Sequence, residues 1–189
     1  MPTNSNQTLN PKHAILLITS ICFIVLGCGY SGKSTASQTT NDELPIVRSY
    51  HPKEKIEQTK DTLIHESWVL SVRSKALGTY VTQEFEDEEE IRAYHYRNFS
   101  YKVTLKRENE AMLDTVLYKE AFKSLLDPAF LDSAIFRNYS FERYDLKARQ
   151  LYFFGIITKP DTDWTWAFYH IYSLESNDFV IEEYENGEM

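Results

Sequence analysis

The stretch GCGYSGKST, residues 27 to 35, has the spacing G-x-x-x-x-G-K-[ST]. In that pattern backbone amides and a lysine cradle phosphates, provided a strand precedes the loop and a helix follows it. The preceding ICFIVL is apolar enough for a strand. The following STASQTTNDE has no large apolar residue before Leu44, so no helix face there packs on a sheet. The later chain does not alternate strand with helix. The sequence therefore predicts no nucleotide site.

Other residues carry chemistry in principle. The run EFEDEEE (84 to 90) offers oxygens to calcium or to a basic partner, but calcium loops space their ligands around a Gly turn and this run has none. It reads as a solvated loop. Asp161 and Asp163 flank Thr162 after Pro160. They are either paired carboxylates or a turn between strands, and the composition favours the turn. His13, His51, His65, His95 and His170 stand singly, with no H-E-x-x-H and no G-x-S-x-G elbow. A Ser/His/Asp triad assembled only by the fold leaves no such spacing. Cys22 and Cys28 are the only cysteines, so the body has no thiol nucleophile and no Cys-based zinc site. No catalytic residue, metal ligand or cofactor is predicted. The most distinctive set is aromatic: in TDWTWAFYHIYSLE, Trp164, Trp166, Phe168, His170 and Tyr172 share one strand face. They either line a ligand pocket or form core, and core is the commoner use of such a strand.

Residues 27 and 28 also end an apolar segment. AILLITSICFIVL, residues 14 to 26, follows Lys12 and His13. A membrane-spanning helix needs about 20 apolar residues. A secretory signal needs a basic start, about 7 to 15 apolar residues and small residues at the cut. The segment has the second set of dimensions. Val25, Leu26, Gly27 and Cys28 resemble the lipobox of bacterial lipoproteins, with Leu26 where Ala or Ser is usual. The resemblance implies cleavage between Gly27 and Cys28 and a diacylglycerol on the Cys28 thiol. Each buried CH₂ of an acyl chain stabilises membrane binding by about 0.8 kcal/mol. Gly29 rather than Asp follows the cysteine, which by the same resemblance favours the outer membrane. The polar run GYSGKSTASQTTNDELP (29 to 45) reads as a tether spanning about 20–25 Å. The expected organisation is a signal over 1–27, lipidated cysteine and linker over 28–58, with a short helix from Pro52 an option, and a globular domain over 59–189.

Residues 1 to 27 hold one basic residue and no acidic one, so the rest carries 19 basic against 28 acidic residues, a net charge of −9. An acidic surface repels phosphate backbones and argues against nucleic acid as a partner. With 13 Tyr, 11 Phe and 3 Trp the chain has ample material for one core.

The elements that must position these residues are mostly strands. Phe99, Tyr101, Val103 and Leu105 alternate with Ser100, Lys102, Thr104 and Lys106. QLYFFGIIT (150 to 158) is apolar on both faces, the mark of a central strand. Weaker strands are expected over 62–74, 78–85, 112–118, 138–145 and 178–185, all paired antiparallel because no crossover helices separate them. KEAFKSLLDPAFLDSAIF reads as two helical turns, with Phe122, Leu125 and Leu126 on one stripe, then Asp127 as N-cap and Pro128 in the first turn. The fold class is therefore mainly β, with seven or eight antiparallel strands in a lipocalin-like barrel or half-barrel, or alternatively a β-sandwich.

A lipobox, a polar tether and this Tyr/Phe-rich β domain look like the small lipoproteins of bacteroidete-type bacteria. TVLYKEAFKSLLDPAFLDSAIF and the later KPDTDW are similar to one of their domain-of-unknown-function families. That resemblance implies a cell-envelope place and no assigned activity. The expected function is a non-enzymatic envelope lipoprotein. It is anchored through Cys28 and binds a small apolar ligand or an envelope protein. The alternatives are an envelope hydrolase whose site only the fold assembles, and a purely structural role.

Overall fold

The computed structural model describes residues 44–108 and 110–184. His13, the apolar segment 14–26, Gly27, Cys28 and the polar run up to residue 43 lie outside the described residues. Among the described residues nine strands form two sheets. In chain order they are β1 (Ile46–His51), β2 (Glu57–His65), β3 (Trp68–Glu86), β4 (Ile91–Arg107), β5 (Glu110–Leu117), β6 (Ile135–Asp145), β7 (Gln150–Thr158), β8 (Thr165–Ser173) and β9 (Asp178–Glu183). A 3-10 turn (Lys119–Phe122) and one short helix, α1 (Pro128–Ser133), connect β5 to β6.

The first sheet has the order β1-β4-β3-β2, with β5 also on β4. β4 is long enough, at 17 residues, to serve two partners on one edge. Ile91 to Tyr96 pair with β1, and Tyr101 to Arg107 pair with β5, while β3 takes the other edge throughout. The β1–β4 ladder is parallel, which departs from the all-antiparallel expectation. The rule that sequence neighbours pair antiparallel does not apply here, because β2 and β3 lie between β1 and its partner. For the same reason strand pairing starts at Ile46, inside the segment expected to be linker, and Pro52 begins a bend rather than a helix. The second sheet is an antiparallel meander, β6-β7-β8-β9. Among the described residues both sheets keep free ends, so the fold is an open half-barrel or sandwich.

Two expected strands merge. TLIHESWVLSVRS splits at Glu66–Ser67, where Glu66 turns with a φ of 40°. Its second half runs on through GTYVTQEF as β3, interrupted only by a register shift between Ala76 and Tyr80. The run expected as a loop divides: Glu84 to Glu86 end β3, and Asp87 to Glu90 form the β3–β4 turn, where Asp87 Oδ1 accepts from the amides of Glu89 and Glu90 at 3.0 Å each. Those two bonds, with the Arg92 charge beside them, hold the Asp87 carboxyl below its usual pKa.

The core lies between the inward faces of the two sheets. Leu70, Val103 and Leu105 come from the first, and Phe136, Leu151, Phe153, Ile157 and Phe168 from the second, all fully buried. The 3-10 turn adds Phe122, whose ring lies 4.7 Å from Phe168 and 5.5 Å from Phe136. Asp127 caps α1 as its sequence predicts, accepting from Ala129 N (2.9 Å) and Phe130 N (3.1 Å) behind Pro128. The other end is closed by Lys119, a buried lysine that donates to the carbonyls of Leu131 (2.6 Å) and Ala134 (2.7 Å). These bonds satisfy carbonyls that a helix end leaves without partners. Burial lowers the Lys119 pKa, against the opposing charges of Glu120 and Asp132.

β7 is central, as its apolar faces predict, and Gly155 is its one position without a side chain. A Cβ there would lie within 2.7 Å of three ring carbons of Phe168. That ring is itself stacked on Trp166 at 4.2 Å, so it has little room to yield. Gly155→Ala is therefore expected to destabilise the fold by about 2 kcal/mol, the usual scale of overpacking. Urea unfolding would read this as a lower midpoint with an unchanged slope. An unshifted midpoint would show that Phe168 moves aside freely.

Candidate functional site

Two strand edges without partners among the described residues meet at the open side of the fold, β2 ending the first sheet and β6 ending the second. Between them is a cleft of about 380 Å³. β2 turns Gln58, Lys60 and Thr62 toward it, the even-numbered side of a strand whose side chains alternate. β6 supplies Arg137, Asn138 and Ser140. Below this polar rim, Val72, Tyr101 and Tyr139 belong to the core and close the floor, with Phe99 and Phe141 half-buried beside them. Burial pushes the Tyr101 and Tyr139 phenols up, so both are neutral donors at physiological pH. The volume is in the range of small-molecule sites, and the lining is an apolar floor under a wide polar rim.

The placement of Arg137 depends on a bulge. The β6–β7 register shifts between Phe136 and Asn138, leaving Arg137 out of the ladder. A bulge re-aims the side chain it carries. Phe136 and Tyr139 both point inward although three residues apart, which strict alternation forbids.

A second cleft of about 450 Å³ adjoins the first and shares Phe99 and Arg137 with it. Its other walls include His51 at the end of β1, Pro52 after it, Tyr96 of β4, and Pro160 and Asp161 from the β7–β8 turn. Gln83 of β3 donates to Pro160 O at 2.5 Å and ties the turn down. The Asp161 carboxylate accepts a hydrogen bond from the Tyr96 phenol. The Tyr96 pKa is pushed up to about 12, first by burial and then by the bond to Asp161 and its charge. Tyr96 thus keeps its proton and donates it to Asp161 across the neutral range.

The remaining sequence candidates fall elsewhere. Trp164 sits in the turn, 65% exposed, with Lys159 Nζ 5.3 Å from its ring. Trp166 is half-buried and donates to Glu183 at 3.3 Å. Phe168, His170 and Tyr172 are buried in the core. None of these five lines either cleft. Thr162 shapes the 160–163 turn by donating to Lys159 O (2.9 Å) and accepting from Trp164 N (3.1 Å). Asp161 and Asp163 flank it there, and only Asp161 reaches the second cleft.

The histidines are dispersed. His65 ends β2, paired with Trp68, and His95 is buried against Tyr50 and Tyr80, with Nδ1 2.8 Å from Thr82 Oγ1. His170 shares a 2.9 Å hydrogen bond with Tyr139 and is stacked on Phe179. His51 lines the second cleft, with Nε2 3.3 Å from Ser49 Oγ, and His65 lines a separate hollow beside Thr62, Phe141 and Tyr144. A serine, a histidine and an aspartate are therefore neighbours, but the carboxylate that would orient the imidazole is on Tyr96 instead. Among the described residues no three His, Cys, Asp or Glu side chains gather to hold a metal.

Residues 53–173 match the domain of unknown function DUF4738. The chain belongs to the DUF4738 family. The matched region runs from just before β2 to the end of β8 and contains every wall of the first cleft. It begins well before KEAFKSLLDPAF, the segment on which the family resemblance rested. No curated protein matches this chain. The cleft residues of β2 and β6 were missed from sequence because no spacing joins two strand edges about 75 positions apart. The one available signal was local: Phe136 and Tyr139, apolar and three apart in a strand, mark the bulge that carries Arg137.

Proposed function

We propose that this DUF4738 chain is a non-enzymatic cell-envelope lipoprotein, anchored through Cys28, whose β domain binds a small ligand in the cleft between β2 and β6. The observation that carries the binding reading is that cleft, with a core-built apolar floor and a rim of polar side chains. Its fixed walls favour a preformed site, since Tyr101 and Tyr139 are held in the aromatic core at 4.7 Å and 5.8 Å from Phe136. The anchor rests on the lipobox-like Val25 to Cys28, and the outer membrane on Gly29.

The test uses the full chain. A library of small organic molecules is screened for a rise in melting temperature. A ligand at a hundredfold its Kd stabilises a fold by about 2.7 kcal/mol, a readily measured shift. Ser74→Trp, which places an indole in the cleft, is expected to abolish the shift of every true hit. Hits unaffected by Ser74→Trp, or a screen without hits, would remove the cleft as the site. In cells, labelled palmitate is expected on the wild type and absent from Cys28→Ser; label on both would refute the anchor.

The rival reading, an envelope hydrolase, draws on Ser49 and His51. It predicts ester hydrolysis that Ser49→Ala abolishes, and that result would overturn the non-enzymatic reading.

A further inference from the structure

The charge of the cleft runs against the charge of the chain. The whole sequence carries 28 acidic and 20 basic residues. The 380 Å³ cleft is lined by two cations, Lys60 and Arg137, and by no Asp or Glu. The adjoining cleft holds one carboxylate, Asp161, already committed to the Tyr96 phenol. Arg73, Lys75, Arg92 and Lys102 each pair with a carboxylate. Arg137 and Lys60, like the other described lysines and arginines, pair with none among the described residues; what sets these two apart is that they line one cleft without a carboxylate. Asp61, next to Lys60 in sequence, points to the other face of β2 and accepts from Ser71.

Position adds to charge. Arg137 stands at the junction of the two clefts, set there by the β6 bulge rather than by the ladder. Phe99, which both clefts also share, offers an apolar surface at the same point. A guanidinium offers five N–H donors in a planar fork, suited to a carboxylate or another flat oxyanion. Beneath it the walls are aromatic and aliphatic, with no second polar centre of opposite sign.

From this charge inversion and this placement, and resting on the cleft being a binding site at all, we infer that its ligand is a small amphipathic anion. The anionic group sits on Arg137 with Lys60 nearby. The apolar body lies along Phe99, Tyr101 and Phe141.

Decanoate and decanol are the probes, matched in chain and differing in charge. Binding to the detergent-solubilised full chain is followed by titration calorimetry at low and moderate salt. Decanoate is expected to bind at least tenfold more tightly than decanol, with the preference shrinking as salt rises. Arg137→Gln is expected to weaken decanoate at least tenfold and to leave decanol unchanged; Lys60→Gln repeats the pattern with a smaller loss. Arg137 is exposed and outside the ladder, so an unchanged melting temperature of Arg137→Gln separates lost binding from lost folding. Equal binding of the two probes, or an Arg137→Gln chain that keeps the preference, would overturn the anionic assignment while leaving the cleft a binding site. Failure of both probes, together with a library screen whose Ser74→Trp-sensitive hits are all neutral, would overturn it too. A screen with no such hits would overturn the cleft itself.

Discussion

Phe122→Ala is expected to destabilise the domain by about 4 kcal/mol, within the usual range for deleting a buried phenylalanine ring. Phe122 is 1% exposed, although it belongs to a 3-10 turn rather than to a strand. Its ring packs on two strands of the second sheet's inner face: Phe136 on β6, and Phe168 and His170 on β8, with centroids at 5.5, 4.7 and 5.8 Å. Strands on either side are fixed by their ladders and cannot close over the space left behind. The lost burial therefore adds to a cavity that persists. For a domain with a typical total stability of about 5–15 kcal/mol, the loss is a large fraction. It should lower the melting temperature by about 10 °C or more. Leu125 supplies the control. It shares the apolar stripe of Phe122 in sequence yet is 52% exposed, so Leu125→Ala should change stability by less than about 0.5 kcal/mol. Equal losses for the two substitutions in urea unfolding would contradict this placement of the turn.

Acid is expected to remove about 3 kcal/mol of stability through one residue, His170. Burial lowers its pKa from 6.5 to about 4. The ring lies against Phe179 at 4.1 Å and near Phe122 and Phe168, and its one polar neighbour is the neutral Tyr139 phenol. A charge placed there has no compensating carboxylate. As pH falls, the unfolded chain takes its proton first, near 6.5, and the folded chain only near 4. Between those values the unfolded state holds more protons, so stability falls with falling pH. The contribution is fully present above about 6.5 and is lost as pH passes down to about 4; a shift of this size corresponds to about 3 kcal/mol. Carboxylates with lowered pKa, Asp87 and Asp145, lose their own contribution at lower pH, so the readout is the difference between two chains. His170→Gln keeps a polar group for Tyr139 and cannot titrate. Urea midpoints measured from pH 7.5 to 4 should fall more steeply for the wild type than for His170→Gln. Parallel slopes would show that His170 takes up its proton without penalty.

These two residues illustrate how far local sequence reaches. Phe122 and Leu125 have the same hydrophobic character and neighbouring places in one stripe. Only the position of the second sheet distinguishes the one that becomes core. His170 lies in the aromatic strand that invited a pocket reading, and its neighbours along that strand are core because Phe122 and Phe179 arrive from other elements to cover them. Arg137 shows the reverse. Nothing in RNYSF marks an important arginine, yet a one-residue slip against β7 brings it to the junction of two clefts.

The sequence by itself determined the β class, the centrality of β7, the capped start of α1 at Asp127 and Pro128, and the 160–163 turn. Each depends on residues within a few positions of one another, where alternation, capping and turn chemistry act directly. The tertiary structure alone decided that β1 would run parallel to β4, that the sheets would stay open, and that β2 and β6 would leave facing edges with a cationic cleft between them. Those outcomes depend on which edges remain unpaired after the long-range ladders have formed. That choice is set by register and packing across the whole chain and leaves no trace in any short stretch of it.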